Sequence, residues 1–428
     1  MKRKITMRAT LVIFLSVSSF LSAQVAITAK VQPYGLYRLS DYSEISLPFR
    51  LAELTADYSW GDWDLKTNTA LEYRWSNGEY DVDFREYYLV YYPSFGEIKL
   101  GKQIFAWGAA DGNNPTDNLN PYDYYYLFEM GSDRKIGLLS LAANLYFENW
   151  NLELVLLPEH TATRMPYGEK DFPLFDMEEP NSEFINKVEG FVERGLRGEI
   201  QLANSDVSLS FFDGYDRSLS LLGMTLEFPG PQPIPTFGYR RTQVIGADWV
   251  TFLGGVTLRA EGALFKTENQ DKSSQMPLEA KATYAQYVVQ IEVDAPSDIK
   301  INGQFLGNRV IDVEGVTFDT LTFSPVPLTK DNFFPGLGTP FAMFAEKGLF
   351  WGVTDQLMDN RLEMELSMFK DLEEKGVMMG ANVSYSFSDH FAFDSRLTKF
   401  IGEEGNQENP FTRLEDFSHV MVGLTFRF

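Results

Sequence analysis

Six pairs of opposite charges stand two residues apart in stretches of alternating polarity: Glu72 with Arg74, Asp83 with Arg85, Glu97 with Lys99, Arg197 with Glu199, Arg259 with Glu261, and Asp394 with Arg396. In an extended chain, positions i and i+2 share one face at a spacing of roughly 7 Å. Facing water inside a wide structure, such pairs set up a transverse field that orients a polar solute. Facing one another, they form a ladder of salt bridges, each worth about 0–1 kcal/mol where solvated. Lys66, Lys300, Glu363 and Glu365 belong to the same inner face, and Gln103 is placed with them. Acid and base on that face nearly balance, so the wall alone predicts no strong ion selectivity.

The segment 108–133 holds a second kind of chemistry. It carries five acids (Asp111, Asp117, Asp123, Glu129 and Asp133), no base, and four tyrosines at Tyr122, Tyr124, Tyr125 and Tyr126. One reading is an inward-folded constriction whose rings stack on a sugar or attract a cation. The other is a turn-rich lid in which Asp and Asn side chains cap their own backbone. Oxygen ligands for a divalent cation abound, but Asp111-x-Asn113 followed by Pro115 lacks the ligand spacing of a calcium loop, so no metal set is assigned. Catalysis finds little support. Of the three histidines, His160 lies in a loop while His390 and His419 fall at opposite rims of the barrel, and no G-x-S-x-G turn is present. No enzyme activity and no cofactor are expected.

These residues sit on segments with period-2 polarity and almost no helical periodicity. In 63–75, Leu65, Thr67, Thr69, Leu71, Tyr73 and Trp75 share one face, against Asp64, Lys66, Asn68, Glu72 and Arg74. The same pattern predicts strands over 25–38, 47–58, 63–75, 82–92, 96–107, 134–147, 150–157, 193–203 and 206–215. It continues over 237–251, 254–267, 280–293, 297–308, 340–353, 360–370, 376–388, 390–401 and 417–428. The connections alternate between long and short. That rhythm predicts an all-β, transmembrane antiparallel β-barrel of about 18 strands, with short periplasmic turns and long extracellular loops. Sixteen strands follow if 150–157 or 206–215 is misread. Trp75, Tyr88, Tyr92 and Phe387 are expected in the aromatic belts. The loop 158–192 is expected to form an outer lid, and 309–339 to plug the lumen or cover its mouth.

Composition sets the boundaries. The chain of 428 residues has a net charge of −23 and no cysteine. That excludes disulfides and thiolate sites and argues against a nucleic-acid partner. Residues 1–23 have a basic start, an apolar run at Ala9–Leu21 and the small pair Ser22-Ala23, which predicts a cleaved secretory signal peptide ahead of a barrel over 24–428. Its removal takes four bases and no acid, leaving −27, with most of the acidic excess in the long loops.

The chain ends in a strand whose Leu424, Phe426 and terminal Phe428 alternate with smaller or polar residues. This resembles the C-terminal strand by which Gram-negative outer-membrane barrels are recognised for assembly. It implies the outer membrane as location, with its lipid and the barrel-assembly machinery as partners. The run Gly101-Lys102-Gln103, Trp107-Gly108, Asn120-Pro121 and Asp123 is similar to the Gly-Arg-Gln…Trp-Gly…Asn-Pro-x-Asp pattern of a poorly characterised group of large outer-membrane porin-like proteins. Ile245-Gly-Ala-Asp248 and Arg259-Ala-Glu261 also look like that group. Lys102 stands where the group has arginine, so a bidentate contact is replaced by a point charge. Alternation aims Lys102 outward, where it must snorkel or be re-aimed by a bulge.

The expectation is a porin-like outer-membrane channel passing small hydrophilic solutes by passive diffusion, with any preference set by inward loops and divalent cations gathering at the acidic loops. The competing expectation is a plugged barrel whose acidic outer loops bind a ligand or partner. A receptor with a separate plug domain is disfavoured because the first strand begins at Val25.

Overall fold

The computed structural model is a closed antiparallel β-barrel of eighteen strands. It describes residues 24–172, 178–227, 232–278, 280–296, 299–318, 324–336, 338–339, 341 and 344–428. The leader sequence expected over 1–23 lies outside the described residues. Strand β1 runs in two segments, Gln24–Val31 and Tyr34–Arg38. Then follow β2 (Phe49–Trp60), β3 (Trp63–Tyr73), β4 (Tyr80–Tyr91), β5 (Gly96–Gln103), β6 (Leu138–Tyr146), β7 (Trp150–Leu157), β8 (Glu193–Leu202) and β9 (Ser205–Tyr215). The circuit continues with β10 (Arg241–Leu253), β11 (Val256–Glu268), β12 (Ala280–Asp294), β13 (Lys300–Phe318) and β14 (Lys347–Leu357). It closes with β15 (Leu362–Asp371), β16 (Val377–Ser388), β17 (Phe391–Ile401) and β18 (His419–Arg427).

Each strand pairs with its neighbours in chain order, and β18 pairs with both segments of β1, so no edge is left. Lipid offers no hydrogen bonds to a free edge, and closure removes the need for them. The break in β1 falls at Gln32-Pro33, where proline has no N–H to give the ladder. At one end the links are short, as at 61–62, 203–204 and 254–255, where Gly61 and Gly254 take the left-handed backbone that side chains resist. At the other end they are long, as at 104–137, 158–192 and 319–346.

The register sorts the outer surface into rows. On β10–β13, five successive rows are built almost wholly from apolar or small residues, from Leu253–Val256–Val293–Ile301 near the short turns to Ile245–Leu264–Ala285–Arg309. The nine residues from Ile245 to Leu253 cover about 27 Å of strand, or roughly 21 Å of height at a 40° tilt, close to the ~25 Å apolar band of outer-membrane barrels. Two polar rows follow towards the long loops: Gln243–Lys266–Thr283–Asp312 and Arg241–Glu268–Lys281–Glu314. Aromatic pairs ring the short-turn end, with Trp63 against Tyr91 at 4.5 Å, Phe147 against Trp150 at 3.7 Å and Phe391 against Phe426 at 5.0 Å.

Both 150–157 and 205–215 are strands, so the sixteen-strand alternative falls. Segment 309–318, expected as loop, continues β13 to Phe318. Above the apolar rows the outward face turns polar at Asp312 and Glu314, and the period-2 signal vanishes while the strand goes on. A second correction is a small three-stranded sheet, Ser220–Glu227, Gln232–Gly238 and Met276–Pro277, in segments expected to be loops apart from 237–238, which were expected to open the strand 237–251. Tyr88 pairs in register with lumenal Lys66 and belongs to the inner face; its neighbour Tyr87, 54% exposed, takes the outward place.

Candidate functional site: an inward loop across the lumen

The loop between β5 and β6 folds into the barrel, and its local chemistry explains how. Asn120 staples its two legs: its Oδ1 accepts from the Phe105 N–H at 2.7 Å, and its Nδ2 donates to the Gln103 and Ile136 carbonyls at 3.1 and 2.8 Å. Lys135 donates to the Phe105 carbonyl at 2.7 Å and pairs with Asp117. Trp107 donates to Glu153 at 2.6 Å. Gly108 has φ +94°, and a Cβ there would lie 2.6 Å from the Glu261 carboxylate, so the tryptophan–glycine pair lets the backbone pass close to the wall.

Far from its root, the loop docks on β11–β13. Glu261 is buried and accepts from the N–H groups of Ala109, Ala110 and Thr116 at 3.0, 3.2 and 2.8 Å, and from the Thr116 hydroxyl at 2.7 Å. The Asp111 N–H donates to Gln290 at 2.8 Å, and the Asn113 amide donates to Gln304 at 3.1 Å. The chain then returns to the other side. Tyr126 donates to Glu72 at 2.7 Å, Arg85 pairs with Asp133 at 3.2 Å, and Arg396 pairs with Glu129 at 2.7 Å. Glu72 on β3 and Gln290 on β12 are nine strands apart in a ring of eighteen, so one loop spans the barrel.

Part of 158–192 also folds inward, where an outer lid was expected. Arg164 reaches Glu72 and Asp123, each at 3.0 Å, Glu169 holds Arg74, and Asp171 pairs with Arg38. Phe172 is buried with Leu127, Phe344, Phe400, Phe411 and Phe417 inside the barrel. A second lumenal cluster joins Trp107 and Leu119 to Phe265, Tyr284 and Phe333. Phe333 comes from 309–339, so that segment does enter the lumen; its residues 319–323 and 337 lie outside the described residues.

The wall charges therefore have partners that strand spacing alone could not assign. Among the described residues, two of the six i, i+2 pairs meet as such: Glu97 with Lys99 at 2.7 Å, and Arg197 with Glu199 at 3.5 Å. Lys99 and Glu199, expected as charges lining an open passage, need a correction for that reason. Each side chain is only 26% exposed. Lys99 is held against the wall by Glu97, so its ammonium is already neutralised. Glu199 accepts from Arg197 and from the Ser208 hydroxyl, each at 3.5 Å, and from the Asn151 amide at 3.4 Å. Lys99 thus offers no uncompensated charge to a solute, while Glu199 shares Arg197 with Asp248.

Other wall charges reach further. Arg197 also meets Asp248 at 3.0 Å, and Arg259 pairs with Glu292 at 3.2 Å and Asp111 at 3.5 Å. Asp394 accepts from Ser384 and Thr425 at 2.7 and 2.6 Å. Glu365 accepts from Asn382 at 2.9 Å, and Lys66 pairs with Asp57 at 2.9 Å. Lys300 and Glu363 keep inward register and are exposed near the short-turn end. Glu72, Arg85, Gln103 and Glu261 are corrections: each is less than 5% exposed, because the inward loop covers what would otherwise line an open passage. Lys102 pairs in register with outward Tyr87 and Leu139, and its ammonium finds Asp83 at 3.4 Å.

The tyrosines need a correction too. Tyr122, Tyr124 and Tyr126 are buried, as are Asp117 and Asp123, so those three rings are no platform for a sugar. Tyr125 is half-buried and donates to Glu169 at 2.9 Å. Asp111 remains half-exposed. Among the described residues, no group of three or more His, Asp or Glu side chains is arranged to hold a metal ion. The His160 ring contacts Glu193 and Arg217, while the His390 and His419 rings contact backbone carbonyls, so no described histidine ring is paired with a serine.

Sequence reasoning passed over Arg50, Arg164, Gln290 and Gln304. Arg50 is the polar residue between Phe49 and Leu51, a signal that alternation carries. Its guanidinium is buried, lies 3.8 Å above the Tyr126 ring and donates to the Asp133 carbonyl at 2.6 Å, and its Nε has no hydrogen-bond partner. Beside it is a lumenal cavity of about 130 Å³ bordered by Lys30, Glu53, Glu129 and Arg396. Loop electrostatics are uneven. Burial pushes the Asp123 carboxyl up to about 6 in spite of Arg164, with Glu72 adding to the rise. Burial also opposes charge on Glu169, but hydrogen bonds from Arg74 and Tyr125 outweigh it and lower its pKa. His160 is lowered by burial and by the adjacent Arg217, against the pull of Glu193.

No protein-family model matches the chain, and no curated protein matches it in sequence. Its fold does have solved counterparts. Acinetobacter baumannii OccAB1 is 7% identical with a TM-score of 0.52, covering 95% of this chain and 96% of its own. A. baumannii OccAB3 is 9% identical with a TM-score of 0.51, covering 95% and 99%. Pseudomonas aeruginosa OccK5 (OpdH) is 9% identical with a TM-score of 0.50, covering 95% and 97%. The fold is that of an eighteen-strand membrane β-barrel.

Proposed function

We propose that this chain is an outer-membrane channel for passive diffusion of small hydrophilic solutes. The observation that carries this reading is the charged cavity between the inward loop and the wall of β1, β2, β17 and β18. A closed barrel supplies a fixed hole, a loop fastened across it narrows the hole, and charges beside the narrowing set the local field. Lys30, Arg50 and Arg396 stand there with Glu53, Glu129 and Asp133, so a solute meets both signs within a small volume. The barrel is read as a transporter and not as an enzyme, because the described histidine rings contact Glu193, Arg217 and backbone carbonyls.

A second reading is supported by the two apolar clusters inside the lumen, which fill much of its long-loop half. They suit a plugged barrel whose outer surface binds a ligand or partner. Single-channel recording of the purified protein in a planar bilayer separates the two. Stable stepwise openings are expected of the channel. A protein that keeps heat-modifiable mobility yet stays silent would favour the plugged barrel.

A further inference from the structure

The outward surface of β10–β13 changes character within one row. Below it lie five apolar rows; above it stand Lys266, Lys281, Arg241, Glu268, Asp312 and Glu314 around a groove of about 530 Å³. The groove starts where the apolar band ends, so its depth is that of lipid headgroups. Lys266 and Lys281 are diagonal neighbours on adjacent strands: Lys266 is opposite Thr283 and Lys281 opposite Glu268. Such diagonal side chains lie roughly 7–8 Å apart. Both are exposed, and neither has an ion-pair or hydrogen-bond partner among the described residues. Arg309, one row closer to the apolar band, is likewise exposed and without a partner there.

Two lysines without a bonded partner just above an apolar band form a ledge for lipid phosphate, with Glu268 and Glu314 flanking Lys281 in register. We propose that this groove binds a membrane lipid whose headgroup carries a phosphate monoester. Lys266 and Lys281 hold the phosphate oxygens, Arg309 guards the lower rim, and the acyl chains lie on the Ile245–Leu264–Ala285 row. Asp312 and Glu314 border the groove on its β13 side, where they disfavour a headgroup with bare negative charge spread over its whole width. The lipid is the occupant because the groove opens outward and continues into the apolar rows, which a free phosphate ion would leave unused. This rests on the reading of the barrel as membrane-embedded, but not on the channel being open.

The test uses the full chain in mixed micelles, with bound lipid measured by native mass spectrometry and stability by the heat-modification midpoint. Lipid A is the probe, with phosphatidylcholine and inorganic phosphate as separate arms. Lipid A is expected to remain bound and raise the midpoint, and the Lys266→Gln/Lys281→Gln variant to lose at least tenfold in apparent affinity. Lys370→Gln, an exposed outward lysine on β15, keeps wild-type binding. Equal retention by the double variant would overturn the proposal, as would equal stabilisation by inorganic phosphate or by phosphatidylcholine. Conductance of the double variant should match wild type, so a silent channel and a failed lipid site are read independently. Should the double variant not fold, Lys281→Gln alone is expected to lose at least threefold, and unchanged binding there would equally overturn the idea.

Discussion

Glu261 and Thr116, 145 residues apart in sequence, are joined twice, for the backbone N–H and the hydroxyl of Thr116 both donate to the same carboxylate oxygen at 2.8 and 2.7 Å. Ala109 and Ala110 supply two further N–H groups to the other oxygen. No basic side chain among the described residues shares this carboxylate, so backbone dipoles compensate its charge.

Glu261→Ala should therefore free the far end of the inward loop. Hydrogen bonds to a charged group are worth about 1.5–3 kcal/mol each, so roughly 3 kcal/mol or more of anchoring is at stake. Single-channel conductance is expected to rise at least twofold, with added noise. Chymotrypsin should begin to cut after Trp107 or Leu119, which flank the freed segment and are buried in the intact loop. Wild-type conductance and protease resistance together would show that the loop is held elsewhere.

Arg50 offers a test of the cavity. Its Nε has no partner and no carboxylate pairs with it among the described residues, so Arg50→Gln removes positive charge without releasing a bound acid. Reversal potentials in a salt gradient should shift toward cation preference. The shift should shrink at high ionic strength as the remaining charges are screened. An unshifted potential would place the conduction path away from this cavity.

Two loop groups titrate in opposite senses. Asp123 is raised to about 6, so the folded loop binds a proton more readily than the unfolded one. Its contribution is present in full below the ordinary carboxylate range and is lost as pH rises through about 6. The shift is worth at most about 3 kcal/mol. His160 is lowered, so its contribution is present above pH ~6.5 and is lost as pH falls through its folded value. Heat-modification midpoints between pH 4 and 7 should show the Asp123 component vanish in Asp123→Asn. If that variant keeps the wild-type slope, Asp123 is not the group responsible.

The carboxyl end closes the ring through backbone bonds. The Phe428 N–H donates to the Ala29 carbonyl at 2.9 Å, and the Ala29 N–H returns to Phe428 at 3.1 Å. Deleting Phe428 removes both, together with the terminal aromatic. The yield of heat-modifiable barrel in the membrane fraction should fall severalfold, with the protein accumulating before insertion. An undiminished yield would leave Leu424 and Phe426 as the only part of the assembly signal that matters.

Strand number and strand faces were legible because lipid on one side and polar groups on the other enforce a period of two, as in Leu65, Thr67 and Thr69 against Lys66 and Asn68. That signal fades beyond the membrane, which is why the outer part of β13 reads as loop. The destination of the charges was hidden for another reason. Glu72 and Arg74 look like a pair along the chain, yet Arg164 and Glu169 of a distant loop claim them. Lys99 and Glu199 do keep their neighbours on the strand and are held against the wall by them. Spacing reports which face a residue shares; it says nothing of what later folds down onto that face. The tyrosine cluster misled in the same way, since aromatic content does not distinguish a binding platform from packing beneath Arg50 and Arg164.

The loop that touches both Glu72 and Gln290 has a mechanical meaning as well. A ring of strands is deformed by turning it toward an ellipse, which brings one pair of opposite walls together and moves the other pair apart. A member fastened to walls nine strands apart acts as a tie-beam and resists that deformation along its own axis. The cross-section of this barrel is therefore braced along the line from β3 to β12, and a load along that line passes to the hydrogen bonds at the two ends of the beam.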